Sequence, residues 1–596
     1  MLRAGVLYAG AVWALAQGLA QLLPLFGDYE WIARWFVIAC IVGFPFWIAF
    51  AWFYEFTPQG LKRESEIAPD DSIAHSTGRK LDKWIIAVLT VAVVLLLTNT
   101  FVWRRGAGLD GGSVVAATPL KSIAVLPLIN ESGDAAQDYF SDGLSEELIS
   151  ALGQVRDLKV IGRNSSFQFR GRAQDDTAGI GAKLGVATLL EGTVRKQGDE
   201  VRIVASLIRA SDGSQLWSRT YDRQLKDVFA VQSDIATSVA NALKARVFGG
   251  AVEATDKPPS GNLAAYDAML QGRWYADRRN REDYFKAVDY YQQAIKLDPD
   301  YALAYARLAI AQQWFNDWEA DADERKIAGA QARANARRAV QLAPQSAVAL
   351  GALGINQAWS DFDYAAAETT LKKAVALDPS NAETLYQLAD VTACLGRLDA
   401  AIGTMRKVLV MEPLNASFHF YIGQFLLAAG GYPQAEVKLE RAIELQPTME
   451  AAHALLAMVY IQQHRFDEAM AQAKAEPQPE SRRWALASSY FAEGDVSQGQ
   501  RQLDDMIRLD SSFATYIAMV YAMRGDADNA FMWLDRAVAA RDPGVATLYE
   551  LPWLVPALRK DPRMAALCRK LGLPTPAEVE AQRAASATLP AATATQ

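Results

Sequence analysis

Cysteine and histidine are scarce in this chain. Three cysteines (Cys40, Cys394, Cys568) and four histidines (His75, His419, His453, His464) are scattered over 596 residues. That excludes a disulfide framework and a four-ligand zinc site, both of which need clustered ligands. There is no excess of basic charge either. Lys and Arg number 60 against 68 acidic residues, a net charge of −8. A chain built to coat nucleic acid carries the opposite sign, so no nucleic-acid partner is expected. Hydrophobic residues make up 51% of the total, which excludes a disordered or collagen-like chain.

Long apolar runs come first. Residues 4–27, 35–54 and 84–103 are free of charged side chains. At ~1.5 Å per residue each is long enough for a ~30 Å hydrocarbon core. Trp13, Trp31, Trp35, Trp84 and Trp103 lie near their ends, as interfacial anchors do. The expectation is a membrane region over 1–103 built from transmembrane α-helices, with the lipid bilayer as a partner. Lys62, Arg63, Arg79, Lys80 and Lys83 then put the 55–83 loop in the cytoplasm and the chain beyond 103 outside it.

Residues 104–120 read as a flexible linker. The pattern then changes to strand and helix in alternation. Ser122–Leu128, Leu158–Gly162, Thr188–Arg195, Val201–Arg209 and Gln215–Tyr221 are expected strands, with Gly198 in a tight turn. Asp134–Val155, Asp175–Leu184 and Leu225–Val247 carry helical apolar spacing. A small α/β domain with a mixed sheet over 121–248 follows. Asp142, Gly143, Ser145 and Glu146 form a polar patch near its first helix start, and Arg163, Asn164 and Ser165 follow its second strand. Helix initiation and loop packing account for such residues. The functional alternative is a small-ligand cleft using Asp142, Ser145, Glu146 and Arg163. The Gly179–Gly181 pair lacks phosphate-loop spacing. The domain has no histidine, which excludes a Ser-His-Asp set or an HExxH zinc motif.

The stretches KSIAVLPLINES (121–132), YFSDGLSEELISAL (139–152), LKVIGRNSSFQFRG (158–171) and LLEGTVRKQGDEVRIVASLIRASDGSQLWSRTYDR (189–223) resemble the TolB-like or FlgO-like domain that stands beside repeat arrays in many bacterial proteins. Residues 1–66, ending in FTPQGLKRE (56–64), resemble the membrane segment that precedes this domain in one branch of the family. Other relatives carry a DNA-binding or nucleotide cyclase domain in front, and neither is seen in this sequence. The resemblance implies a multi-pass protein of a bacterial inner membrane, with periplasmic soluble domains serving envelope organisation or signalling.

The remainder is periodic. Pro299, Pro344, Pro379, Pro413 and Pro447 close the segments LDPD, LAPQ, LDPS, MEPL and LQPT. The recurrence settles to about 34 residues, the tetratricopeptide period. Ala389, Gly396, Leu398, Ala401 and Met405, then Gly423, Tyr432, Ala435 and Leu439, occupy the repeat's small and large positions. An all-α solenoid of about eight repeats is expected over 262–543, with capping helices over 544–574 and a disordered tail over 575–596. First-helix positions that line the concave side of such arrays hold Tyr386, Asp390, Ser417, Phe420, Gln424, Met458 and Gln462. Without a Lys/Arg cluster, this face suits an extended or helical protein segment better than a terminal carboxylate. The alternative is that these residues pack against the chain itself. The whole reads as a multidomain, non-catalytic, membrane-anchored adaptor that binds a protein or peptide and holds no cofactor or metal. The second reading is a sensor that takes a small ligand in the α/β domain and signals through the repeats.

Overall fold

A computed structural model describes residues 54–57, 60–63, 121–155, 157–171, 176–243, 257–318, 322–509, 514–540, 542–551 and 554–588. Strands Tyr54–Thr57 (β1) and Gly60–Arg63 (β2) pair antiparallel, with Phe56 opposite Leu61.

Among the described residues no helix is long and apolar enough to cross a membrane. The reason is visible in the longest, Ala322–Leu342: its 21 residues include Asp323, Glu324, Arg325, Lys326, Arg333, Arg337 and Arg338. The expected runs 4–27, 35–54 and 84–103 lie outside the described residues except for Tyr54, which is in a strand. This corrects the fold class to a small mixed α/β domain plus an α-solenoid. The multi-pass inner-membrane location, the periplasmic placement and the bilayer as partner are withdrawn with it.

The α/β domain contains β3 (Ser122–Val125), β4 (Ile129–Asn130), α1 (Asp138–Gly153), β5 (Lys159–Ile161), α2 (Arg163–Ser166), α3 (Thr177–Leu184), β6 (Thr188–Gln197), β7 (Glu200–Arg209), β8 (Gln215–Gln224) and α4 (Val228–Ala242). The strand order is β5-β3-β6-β7-β8, with β4 beside β6. Pairings are parallel among β5, β3, β4 and β6, and antiparallel from β6 to β8. Pro127 has no N–H for a ladder, so the first strand stops at Val125 and pairing resumes at Ile129. Gly198 turns the β6–β7 hairpin at φ +56°. Val201, Ile203, Ala205 and Leu207 alternate into a core that α1 and α4 cover with Leu144, Leu148, Ile235 and Val239. Ile180 and Leu184 of α3 cover the other face at Ala124 and Leu189.

Among the described residues the solenoid is eight helical hairpins: α5 (Leu263–Ala276) with α6 (Arg281–Leu297), α7 (Ala302–Trp318) with α8 (Ala322–Leu342), α9 (Ala347–Trp359) with α10 (Tyr364–Leu377), α11 (Ala382–Cys394) with α12 (Leu398–Met411), α13 (Ala416–Ala428) with α14 (Tyr432–Leu445), α15 (Ala452–Gln462) with α16 (Phe466–Ala475), α17 (Pro479–Glu493) with α18 (Val496–Leu509), and α19 (Ala514–Met523) with α20 (Ala527–Ala540). Asn262, Ser346, Asn381 and Asn415 begin first helices by accepting amide hydrogens two or three residues on. Gly354 and Gly423 are small because a Cβ there would run into Leu371 and Leu439 of the second helix. First helices of neighbouring hairpins touch one another at most junctions, so they form the inner side.

Beyond α20 the chain makes a 3-10 segment, Pro543–Glu550, then α21 (Leu554–Leu558), α22 (Pro562–Lys570) and α23 (Pro576–Thr588). This strap doubles back across the array. The 3-10 segment packs on α11 and α13, and Val579 fills the space over Gly396.

Candidate partner-binding groove

The polar patch of the α/β domain lies against the first repeat. Asp142 is buried and takes both oxygens to Arg170 Nη2, at 2.8 and 2.7 Å. Burial still holds its pKa above the ordinary value, with Arg170 pulling the other way. Ser145 is fully buried. Its Oγ donates to the Ser141 carbonyl at 2.7 Å and accepts from Leu128 N at 2.9 Å, which fixes the helix to the sheet. Glu146 is clamped by Arg163 and by Arg273 of α5, whose Nε is 2.9 Å away. Burial raises the Glu146 pKa, but Arg273, Arg163 and Arg307 together outweigh it and the carboxyl stays below its ordinary value. Arg163 continues to Asp277 at 3.0 Å and lies 4.6 Å from the Phe167 ring centroid. The charges of the patch are thus spent on one another and on the first repeat.

A second contact joins the domain to the middle of the array. Glu412, buried after α12, accepts from Asn164 N at 3.1 Å and Ser165 N at 2.7 Å. Gly162 N donates to the Met411 carbonyl at 2.9 Å, and Leu414 N donates to Ser165 Oγ at 3.1 Å. A Cβ on Gly162 would fall on the Glu412 carboxyl. Burial with no cation in contact pushes the Glu412 pKa up to about 7.

The residues expected to line the groove fall into two groups. Tyr386, Asp390 and Met458 are buried. The Tyr386 ring is 4.7 Å from that of Tyr421, and its hydroxyl is 3.4 Å from Asp390. Burial pushes the Asp390 pKa up to about 7. Ser417 is exposed, and Phe420, Gln424 and Gln462 are half-buried. Gln462 accepts from the Tyr432 hydroxyl at 3.2 Å. Gln424 donates to Glu550 Oε2 at 3.0 Å, and the Cys394 thiol donates to Glu550 Oε1 at 3.4 Å. Part of the inner face is therefore occupied by the chain's own 3-10 segment.

Three residues that matter here escaped the sequence reading: Glu412, Arg273 and Glu550. Only Glu412 left a signal. It is the one glutamate among the residues preceding the periodic prolines, where Asp298, Ala343, Asp378 and Gln446 stand in other repeats. Cys394 and Cys568 are free, buried thiols. Among the described residues no group of three or more His, Cys, Asp or Glu is placed to hold a metal ion.

Tetratricopeptide repeat models match residues 279–301, 356–416, 393–450, 426–477 and 485–546. The TolB-like or FlgO-like resemblance of 121–248 finds no counterpart among these matches. The array is a tetratricopeptide scaffold of the general protein- and peptide-binding kind. A protein of Rhizobium meliloti (strain 1021), "Putative adenylate cyclase 3", is 37% identical over 199 residues, which is 33% of this chain and 34% of that protein. The chain therefore spans about a third of that relative's length. A cyclase name on a partial relative removes the ground for a strictly non-catalytic chain, and that expectation is withdrawn. Similar solved structures include PilW, a type IV pilus biogenesis factor, at 17% identity and TM-score 0.31, over 36% of this chain and 92% of PilW. The human IFIT1 dimer with PPP-AAAA is 16% identical at TM-score 0.33, over 53% of this chain and 79% of that one.

Proposed function

We propose that this chain is an adaptor whose repeats receive a protein or peptide segment on the inner side between α11 and α15. Ser417, Phe420, Gln424 and Gln462 would make the contact, and Tyr386, Asp390 and Met458 would support it from beneath. One observation carries the reading. A short segment, Pro543–Glu550, already lies against α11 and α13 and bonds Gln424 and Cys394, so this face accepts a peptide backbone with side chains directed inward. The α/β domain, TolB-like or FlgO-like by its resemblance, acts in this reading as a second module held to the repeats by Glu146 and Glu412. A photo-crosslinking side chain at Ser417 tests the proposal against the same side chain at Val437, which is 59% exposed on a second helix. A discrete adduct from position 417 and none from 437 is expected. The same adducts from both positions would count against a binding face.

A further inference from the structure

Beneath the 3-10 segment lies a polar seat whose charges are unbalanced. Asp390 and Glu550 are buried together, 6% and 1% exposed. The groups facing them are the Cys394 thiol, the Gln424 amide and the hydroxyls of Tyr386 and Tyr364. None of these is a base. Glu383, at the start of α11, adds negative field at Asp390. Tyr421, beside Tyr386, also feels Asp390, and Arg279 acts on Tyr421. The Tyr364 side chain is fully buried, its hydroxyl has no hydrogen-bond partner, and it feels Asp390, Cys394 and Glu550 together. Two buried acids without a cation pay the desolvation cost of both and gain no attraction. Burial and Asp390 accordingly push the Glu550 carboxyl well above the ordinary carboxylate range.

We propose that this seat is the partner site itself, that Pro543–Leu551 is its built-in occupant, and that the partner is a peptide presenting a lysine or arginine side chain where Glu550 now sits. The inference rests on the scaffold reading and adds the chemistry of the guest. An ammonium or guanidinium there would pair with Asp390 and give the Tyr364 hydroxyl oxygen the donor it lacks. The departing Glu550 would return to water, where a carboxylate ionises freely. The resident segment is thus held by shape, through Val545, Leu548 and Tyr549, and opposed by charge.

The test uses two fluorescein-labelled synthetic peptides, one copying residues 542–552 and one carrying E550K, titrated by fluorescence polarisation against the full chain at neutral pH. The lysine peptide is expected to bind about tenfold tighter than the glutamate peptide, in keeping with charge-pair coupling at interfaces. Tyr549→Ala, which loosens the strap, should tighten both, and Asp390→Asn should erase the lysine preference. The full-length Glu550→Lys variant is a second arm that does not depend on loosening anything. Its own lysine should lock the strap, raise Tm and exclude both peptides. Equal affinities for the two peptides, a preference that survives Asp390→Asn, or a lowered Tm in Glu550→Lys would each overturn the proposal. Absence of peptide binding to Tyr549→Ala, once circular dichroism shows its helices intact, would do the same. If these arms fail while the adduct at Ser417 forms, the scaffold reading stands and only the basic guest is lost.

Discussion

Two places where the chain folds back on its repeats are built on opposite electrostatic plans. At the α/β domain, Glu146 meets Arg163 and Arg273, and buried charge is matched by buried charge. At the strap, Glu550 and Asp390 share a seat without a cation among the groups that face them. A matched pair resists separation, because parting it strands a charge in a poor solvent. A mismatched pair is relieved by separation. The first contact is therefore a fixture, and the second yields to a better-charged guest. The Glu412 contact stands between them, with a carboxyl satisfied by two backbone amides and by no cation.

Breaking the matched contact gives the largest effect. Arg273→Ala takes from Glu146 the foremost of the three arginines acting on it, leaving Arg163 and Arg307, and removes a donor to the Gly143 carbonyl. A loss of roughly 3–5 kcal/mol is expected in urea unfolding, as for other broken buried pairs.

Next is Glu412. Its folded pKa is raised, so the native state keeps a proton that the unfolded chain releases. Its contribution is unpenalised below about pH 4.5, falls as pH rises, and levels off above about 7, a span of roughly 3 kcal/mol. His419, seven residues on, works the other way. Burial lowers its pKa to about 4, so stability falls as pH drops from about 6.5 toward 4. Comparing wild type with Glu412→Gln at pH 5 and pH 8 separates the two. The difference in unfolding free energy should shift by roughly 3 kcal/mol in favour of the glutamine at the higher pH. An unchanged difference would mean that Glu412 does not titrate in the folded chain.

Asp390→Asn sharpens the mismatched side. Burial raises the Asp390 pKa to about 7, so its penalty also grows from about pH 4 to about 7. The asparagine variant should gain on wild type by roughly 2.5 kcal/mol in unfolding free energy between pH 5 and pH 8. The smallest effect belongs to Ser417→Ala, an exposed site where thermal unfolding should move by no more than about 0.5 kcal/mol.

Much of the helical architecture was legible because it is local. The prolines that close the first five units and the small residues at close helix approaches recur at nearly regular spacing, and Gly423 against Leu439 shows why. The β-strands of the α/β domain were legible, apart from the break at Pro127, where a missing N–H outweighs an apolar run; β1 and β2 were not, since they fall at the end of an expected membrane span and in the loop after it. The site was less legible because its defining contacts are distant in sequence. Glu550 lies 126 residues from Gln424, and Glu412 lies 247 from Ser165. No periodicity links such partners. The sequence offers Glu146 and Arg163 as a ligand cleft, but Arg273, which turns them into a joint between domains, sits in a repeat helix whose pattern reports only packing.

The doubling back of the strap has a mechanical consequence. An open stack of helical hairpins unzips from either end, because each unit leans only on its neighbours. Here Val579 against Gly396, together with Glu550 against Cys394 and Gln424, ties the far end to the middle. The stretch from α11 to α20 becomes a closed ring rather than a row. A pull on the last helix loads α11 and α13 at once, so that arc yields as a block, and the end that would otherwise fray becomes the clasp.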